Sequence, residues 1–452
     1  MKTLPKAINK SQLKSTVELT QIMNDVLDHA RQQGATDASV AVNHDTGFSV
    51  DVRMREVETV AFSEDRGVGI TVYIGQKKGS ASSSDTSPAA LSAMVSAAVE
   101  IAKVSAADPC FGLPERELLT SQYQDLDLFH PWDIKPAQAI EMALHCEGQA
   151  LDMDKRIANS DGVNISTYNF CHAFANTRGW EGITHSSRHS ISCSLIAKAG
   201  ELMQRDYDYT TSRCADSLLS IDLLADSAVK RAVGRLGAQK LKTQKMPVLF
   251  SSRLSGGLIS SFIGAISGSS LYRKNSFLMD SVGQQVFPAG IRIHEQPHLL
   301  RALGSSPFDG EGVPTRNNVF VDDGRGCQYV LGCYSARRMG LRTTANSGGV
   351  FNLTIDPTAG DFPALLKQMG TGLLVTELMG NGANGLTGDY SRGASGFWVE
   401  NGVIQYPVEE ITIAGNLKDM FRAIVAIGSD INPNVATHCG SVLIEEMMIA
   451  GD

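Results

Sequence analysis

Helical and strand periodicities alternate along the chain in an order that occurs twice before residue 240. Val17, Leu19, Ile22, Met23, Val26 and Leu27 recur at helical spacing, which predicts an amphipathic helix from Leu13 to Gln33, ended by Gly34. Four stretches with strand alternation follow: Ala38 to Val42, Gly47 to Arg55, Val57 to Ser63 and Gly67 to Ile74, with a hairpin corner at Gly75. Ser87-Pro88 opens a second helix, Ala89 to Ala106, with proline in the first turn, where its missing N–H is tolerated. A polar, proline-marked stretch runs from Pro109 to Pro136. The pattern then returns as a helix (Gln138 to Met153), strands near Val163 to Asn169, His172 to Asn176, His189 to Ala197 and Glu201 to Tyr207, and a helix from Ser217 to Leu236. No residue-level repeat accompanies this echo, so a shared α+β layout explains it as well as duplication does.

The basic stretch Lys240-Leu241-Lys242-Thr243-Gln244-Lys245 reads as a domain boundary. It divides an N-terminal α+β domain, 1–239, with possible sub-units 1–108 and 137–239, from a β-rich domain, 246–452. Met246 to Phe250 reads as a strand and Leu254 to Ile266 as a helix, weakened at Gly256, Gly257 and Gly264 by about 1 kcal/mol each relative to alanine. From Gly283 onward strands are expected to dominate. Gly396-Phe397-Trp398-Val399 and Val403-Ile404-Gln405-Tyr406 alternate about a Glu400-Asn401-Gly402 corner suited to positive φ, and Val408 to Ile413 reads as a third strand. So many strand edges are best protected in a closed or strongly curved antiparallel sheet. The expected class is α+β, with helices on antiparallel meanders first and a curved or barrel-like β domain second.

A hydrophobic content of 42% and a charged content of 19% describe an ordinary globular chain. The net charge of -8 argues against broad phosphate-driven binding of nucleic acid. MKTLPKAINKSQLK lacks the apolar core of a secretory leader, and serine and glycine dilute the uncharged run from Leu254 to Tyr272 too heavily for a membrane span. The 8 cysteines include no CxxC pair, as expected of free thiols in a reducing cytoplasm.

Several motifs invite chemistry. His294-Glu295-Gln296-Pro297-His298 is a literal HExxH, which binds zinc only when a helix stacks both histidines on one face. Pro297 opposes that helix and Gly290 to Ile293 alternates like a strand, so a strand entering a loop is expected. Gly380-Asn381-Gly382-Ala383-Asn384-Gly385 matches GxGxxG but leads into turn and strand residues, whereas a dinucleotide site needs a helix there. Asp309, Glu311, Asp322 and Asp323 offer carboxylates for acid–base work or for a hard cation, yet turn chemistry accounts for the Asp-Gly and Glu-Gly steps. His172, His185 and His189 share no spacing with a cysteine or carboxylate. Met447-Met448-Ile449 reads as a buried terminal strand.

The stretch Gly388 to Asn416, with Phe308-Asp309-Gly310-Glu311-Gly312-Val313-Pro314 upstream and Cys439-Gly440-Ser441-Val442 downstream, resembles the PmbA/TldD family, and the resemblance runs over nearly the whole chain. The family's catalytic branch carries HExxxH on a helix, a basic pair a few residues on, and a metal-binding cysteine near the carboxyl terminus. Anchored on Arg273-Lys274, that motif falls on Ser260 to Ala265. Ser260 and Ala265 replace the two histidines, Ser261 replaces the base glutamate, and Cys439 alone persists. A lone thiol does not make a catalytic zinc site, which takes three protein ligands and a water. Packing and hydrogen bonding are the plain reading of Ser260, Ser261 and Cys439, although His438 leaves a different zinc set open.

The resemblance therefore implies the PmbA (TldE) branch. Its members are non-catalytic subunits of a cytoplasmic two-subunit protease, with zinc held by a TldD-like partner. The implied substrates are unfolded polypeptides and peptide-antibiotic precursors, and without its partner the subunit is expected to form a homodimer. Neither nucleic acid nor membrane is an expected partner. Two alternatives stand: a self-sufficient metallopeptidase, and a non-proteolytic regulator of the DNA gyrase and toxin system.

Overall fold

A computed structural model describes residues 15–119 and 123–451. Leu13 at the start of the first expected helix, the leader reading of the amino terminus and residues 120–122 of the polar stretch lie outside them.

In the N-terminal half, α1 (Thr16–Gln32) starts from a capping box in which Ser15 and Glu18 satisfy each other's backbone N–H. The strands β1 (Asp37–Arg53), β2 (Glu56–Ile74) and β3 (Lys77–Ser83) lead into α2 (Pro88–Val104). The second unit runs α3 (Pro136–Met153), β4 (Ile157–Asn176), β5 (Glu181–Ala199), β6 (Leu202–Ser212) and α4 (Ile221–Gly234). The two units share one six-stranded antiparallel sheet, ordered β3-β2-β1-β4-β5-β6 and joined through β1 and β4. Side chains alternate across a strand, so one face of β1 serves both helix pairs. Val40 and Val42 pack with α1 and α2, while Val50 and Val52 pack with α3 and α4. Ser39, Ala41, Asn43 and Asp45 alternate with these residues and so take the face of the sheet opposite α1 to α4.

Two expectations need correction here. Ala38–Val42 and Gly47–Arg55 form one strand, and so do Val57–Ser63 and Gly67–Ile74, because Asn43 to Thr46 pair with β2 on one side and β4 on the other. The expected breaks at Asn169–His172 and before His189 vanish in the same way within β4 and β5. Strand β3 has no apolar alternation to announce it. It exists because it pairs with β2 and because Gly79 lets α2 approach, where a β-carbon would lie 2.0 Å from the Ala98 carbonyl.

The C-terminal half begins with β7 (Gln244–Phe250), α5 (Ser252–Ala265) and α6 (Gly268–Tyr272), then β8 (Ile293–Glu295), β9 (Asn318–Asp322), β10 (Arg325–Gly326), α7 (Cys333–Met339), β11 (Leu353–Ile355) and α8 (Phe362–Met369). It ends with β12 (Gly372–Met379), β13 (Asp389–Glu400), β14 (Val403–Asn416), α9 (Leu417–Arg422), β15 (Ile424–Ile427), β16 (Thr437–His438) and β17 (Val442–Ala450). Strands β14-β13-β12-β7-β17 close on themselves through β14–β17 pairing, which makes the expected barrel a closed five-stranded one flanked by β15. Only the β7–β12 pair in that ring is parallel. Val248 and Phe250 join the large cluster that includes Ile259 and Phe262 of α5, while Leu249 between them packs against Leu365 and Met369 of α8.

The hairpin corner falls where expected, with Asn401 and Gly402 both at positive φ. Val408 to Ile413 is not a separate strand: β14 runs unbroken from Val403 to Asn416, and the third member of the meander is β12. Beyond Gly283 loops and helices take more of the chain than expected, around a second sheet ordered β10-β9-β8-β11-β16.

Candidate functional site

The positions of the degenerate motif all lie on α5. Ser260 is exposed and its hydroxyl donates to the Gly256 carbonyl at 2.8 Å, while Ser261 does the same to Gly257 at 3.2 Å. These are the i−4 back-bonds that serine makes within a helix, and they direct the hydroxyls along the helix axis. Ala265 is buried at 3% exposure. Cys439 meets the helix earlier, where the Ser255 hydroxyl contacts the thiol and donates to the Cys439 carbonyl at 3.2 Å. At 1.5 Å per residue, Ser255 precedes Ser260 by about 7 Å and Ala265 by about 15 Å along the axis. The cysteine thus lies against the same helix, and burial pushes its thiol up to about 12, against thiolate ligation. A methyl, two back-bonded hydroxyls and a buried, protonated thiol do not fit zinc. Among the described residues no group of three or more His, Cys, Asp or Glu side chains could hold a metal.

The literal HExxH is strand, then loop. His294 lies 2.9 Å from Asp356 and His298 lies 3.0 Å from Thr315, while Glu295, 1% exposed, faces inward between them. Glu295 accepts from Asn318 Nδ2 at 2.6 Å, from Asn346 Nδ2 at 2.9 and 3.1 Å, and from the Phe351 N–H at 2.8 Å. Burial raises its pKa although these donors oppose the shift. It is a structural carboxylate that ties β8 to β9 and to the loop between α7 and β11. The GxGxxG loop runs into β13 with no helix after it.

The four carboxylates separate into two pairs. Asp323, at positive φ, accepts from the Gly290 N–H in a turn, and exposed Asp322 lies near Arg292. Asp309 caps the expected turn, with the Gly312 N–H bonded to its carbonyl at 3.0 Å, and it is buried at 3% exposure. It accepts from the N–H groups of Glu311 at 2.9 Å, Val313 at 3.0 Å and Ser347 at 3.0 Å. Burial lifts it to about 6. It holds the Phe308–Pro314 loop so that Glu311 stands at the wall of a cavity.

That cavity, about 560 Å³, lies where the bare face of the N-terminal sheet meets this loop. Ser39, Thr71, Tyr73, Leu113, Phe174 and Glu311 are among its lining residues. Its walls are fixed across the domains. Trp180 packs edge-on against Phe308 with centroids 4.8 Å apart. Arg337 donates to the carbonyls of Gly112 at 3.0 Å and Leu113 at 2.6 Å and pairs with Glu115 at 2.9 Å. Sequence reading missed this place because its residues come from distant segments. The one local sign was the run of small and hydroxyl residues on the helix-free side of β1 and β2.

Comparison with known proteins places these features. Models of the PmbA/TldA metallopeptidase match three segments: domain 1 over residues 38–102, the central domain over 129–236 and the C-terminal domain over 243–451. Metalloprotease PmbA of Escherichia coli O157:H7 is 48% identical over 92% of both chains, and the Metalloprotease PmbA homolog of Haemophilus influenzae is 45% identical over 96% of both. Among solved structures, a candidate modulator of DNA gyrase from Bacteroides thetaiotaomicron superposes with a TM-score of 0.91 at 26% identity, covering 97% of this chain and all of the other. TldE from Thermococcus kodakarensis shares the fold with a TM-score of 0.81 at 20% identity, over 95% of this chain and all of that one. From its first strand to its last, this chain belongs to the PmbA/TldD metallopeptidase family.

Proposed function

We propose that the chain is the non-catalytic subunit of a two-subunit zinc peptidase, active only beside a TldD-like partner that supplies the metal, the water and the base. The observation that carries this reading is α5 itself: Ser260 and Ser261 are bonded back into the helix, Ala265 is a buried methyl, and Cys439 is a buried, protonated thiol beside Ser255. The substrates are unfolded or extended polypeptides, peptide-antibiotic precursors among them, and the chain walls part of the cleft that receives them. The compartment is the cytoplasm; among the described residues no helix is long and apolar enough to cross a membrane. Without its partner the subunit pairs with a second copy of itself. The test is reconstitution with a HExxxH-bearing sibling, with zinc counted in each component. Casein hydrolysis by the mixture alone, with zinc in the sibling alone, is the expected result. Stoichiometric zinc or hydrolysis in this chain by itself would overturn the reading. The gyrase description carried by the Bacteroides structure favours one other role, which gyrase binding by this chain without any sibling would reveal.

A further inference from the structure

Glu311 has no ion-pair partner among the described residues, although it stands in the wall of a cavity of about 560 Å³. Its Oε2 accepts from the Cys333 N–H at 2.7 Å and the Cys333 thiol also hydrogen-bonds the carboxylate, and these contacts from one residue fix its direction. The nearby Arg337 guanidinium is spent on Glu115 and on backbone carbonyls. Lys78 also lines the cavity, yet its ammonium lies over the Phe111 ring at 5.9 Å and makes no ion pair with Glu311. A fixed, half-buried carboxylate with an open valence suits a compact cation with several donors, which an ammonium is and a planar guanidinium is not. Phe174 and Leu113 supply apolar surface beside it, and the volume suits a few residues of peptide.

The same cavity reaches β3, an edge strand of the N-terminal sheet whose Ser80 and Ser82 are part of the lining. One side of an edge strand has unpaired N–H and C=O groups, which an extended chain can engage without regard to its side chains.

We infer that this cavity binds a primary ammonium group of an extended polypeptide, at its amino terminus or on a lysine side chain, with Glu311 as the anion that receives it. The inference rests on the polypeptide substrate proposed above and names the part of it that this subunit grips.

The test uses the full chain alone and isothermal titration calorimetry with three probes: Ala-Ser-Ala, N-acetyl-Ala-Ser-Ala, and N-acetyl-Ala-Lys-Ala amide. At least one amine-bearing probe is expected to bind tenfold or more tightly than the acetylated, lysine-free peptide. Binding of Ala-Ser-Ala identifies the terminus as the source, and binding of the lysine probe identifies the side chain. Glu311→Gln, which keeps an acceptor for the Cys333 N–H, is expected to abolish the preference with the melting temperature unchanged. Ser39→Leu narrows the cavity while sparing the carboxylate, and is expected to weaken all binding. Equal affinity for all three probes, an undiminished preference in Glu311→Gln, or no binding at millimolar peptide would overturn the inference. No partner or zinc takes part, so failure here is separable from failure of the reconstitution.

Discussion

Replacing Glu295 by glutamine separates a structural carboxylate from a catalytic one. The side chain keeps its shape and loses one acceptor oxygen. Whichever oxygen becomes the amide, it faces donors: the Phe351 N–H at 2.8 Å on one side, or Asn318 Nδ2 at 2.6 Å on the other, with Asn346 Nδ2 touching both. At 1% exposure no water relieves the mismatch. A buried donor left unsatisfied costs about 1–3 kcal/mol, and the charge-assisted contacts weaken as well. Part is returned, because the same burial that raises the Glu295 pKa penalises the native charge. The net expectation is a loss of about 2–3 kcal/mol, which corresponds to roughly 30- to 150-fold faster local opening. Hydrogen exchange of the amides from Ser347 to Asn352 reads this directly, and a lower denaturation midpoint accompanies it. Unchanged exchange, together with loss of peptide hydrolysis in the reconstituted complex, would refute the structural assignment and restore HExxH as a working motif.

Other changes test other parts of the molecule. Gly47→Ala places a β-carbon 2.2 Å from the Thr167 carbonyl and 2.4 Å from the Tyr168 ring, and is expected to destabilise the β1–β4 junction by about 1–3 kcal/mol in chemical unfolding. Asp309 carries a folded pKa of about 6 against an ordinary 3.8, so its contribution to stability is complete below about pH 4 and is lost as pH rises through 6. The amount is about 3 kcal/mol, and Asp309→Asn is expected to flatten the stability profile across that window. Arg337→Lys removes the planar fork that holds the Gly112 and Leu113 carbonyls. It is expected to raise proteolytic nicking between residues 108 and 115 while leaving the barrel's hydrogen exchange unchanged.

The Glu400-Asn401-Gly402 corner could be read from sequence because positive φ admits few residue types, and these are among them. The barrel was legible for a similar reason, since many glycine-punctuated strands need closure. Asn43 to Thr46 misled because polar residues resemble a turn when read locally. Two flanking ladders hold them extended, and His44 and Thr46 are buried at 1% and 3% exposure. At α5, the chemistry of Ser260, Ser261 and Ala265 was legible only against a family motif. The docking of Cys439 against Ser255 was not, because it depends on where a distant strand packs. The cavity was invisible for the same reason: Ser39, Tyr73, Leu113 and Glu311 have no sequence relation, and folding alone makes them neighbours.

Barrel closure also sets an order on biosynthesis. Strand β7 opens the C-terminal half, yet one of its two neighbours, β17, is made only after every other strand of the ring. The Lys245–Glu446 pair across that seam joins residues 201 positions apart. Until β17 leaves the ribosome, Val248 and Phe250 wait beside an open ladder, the state in which nascent β proteins are most prone to stick to one another. A nonsense allele at Val442, which removes β17, should therefore yield inclusion bodies instead of a shortened soluble protein.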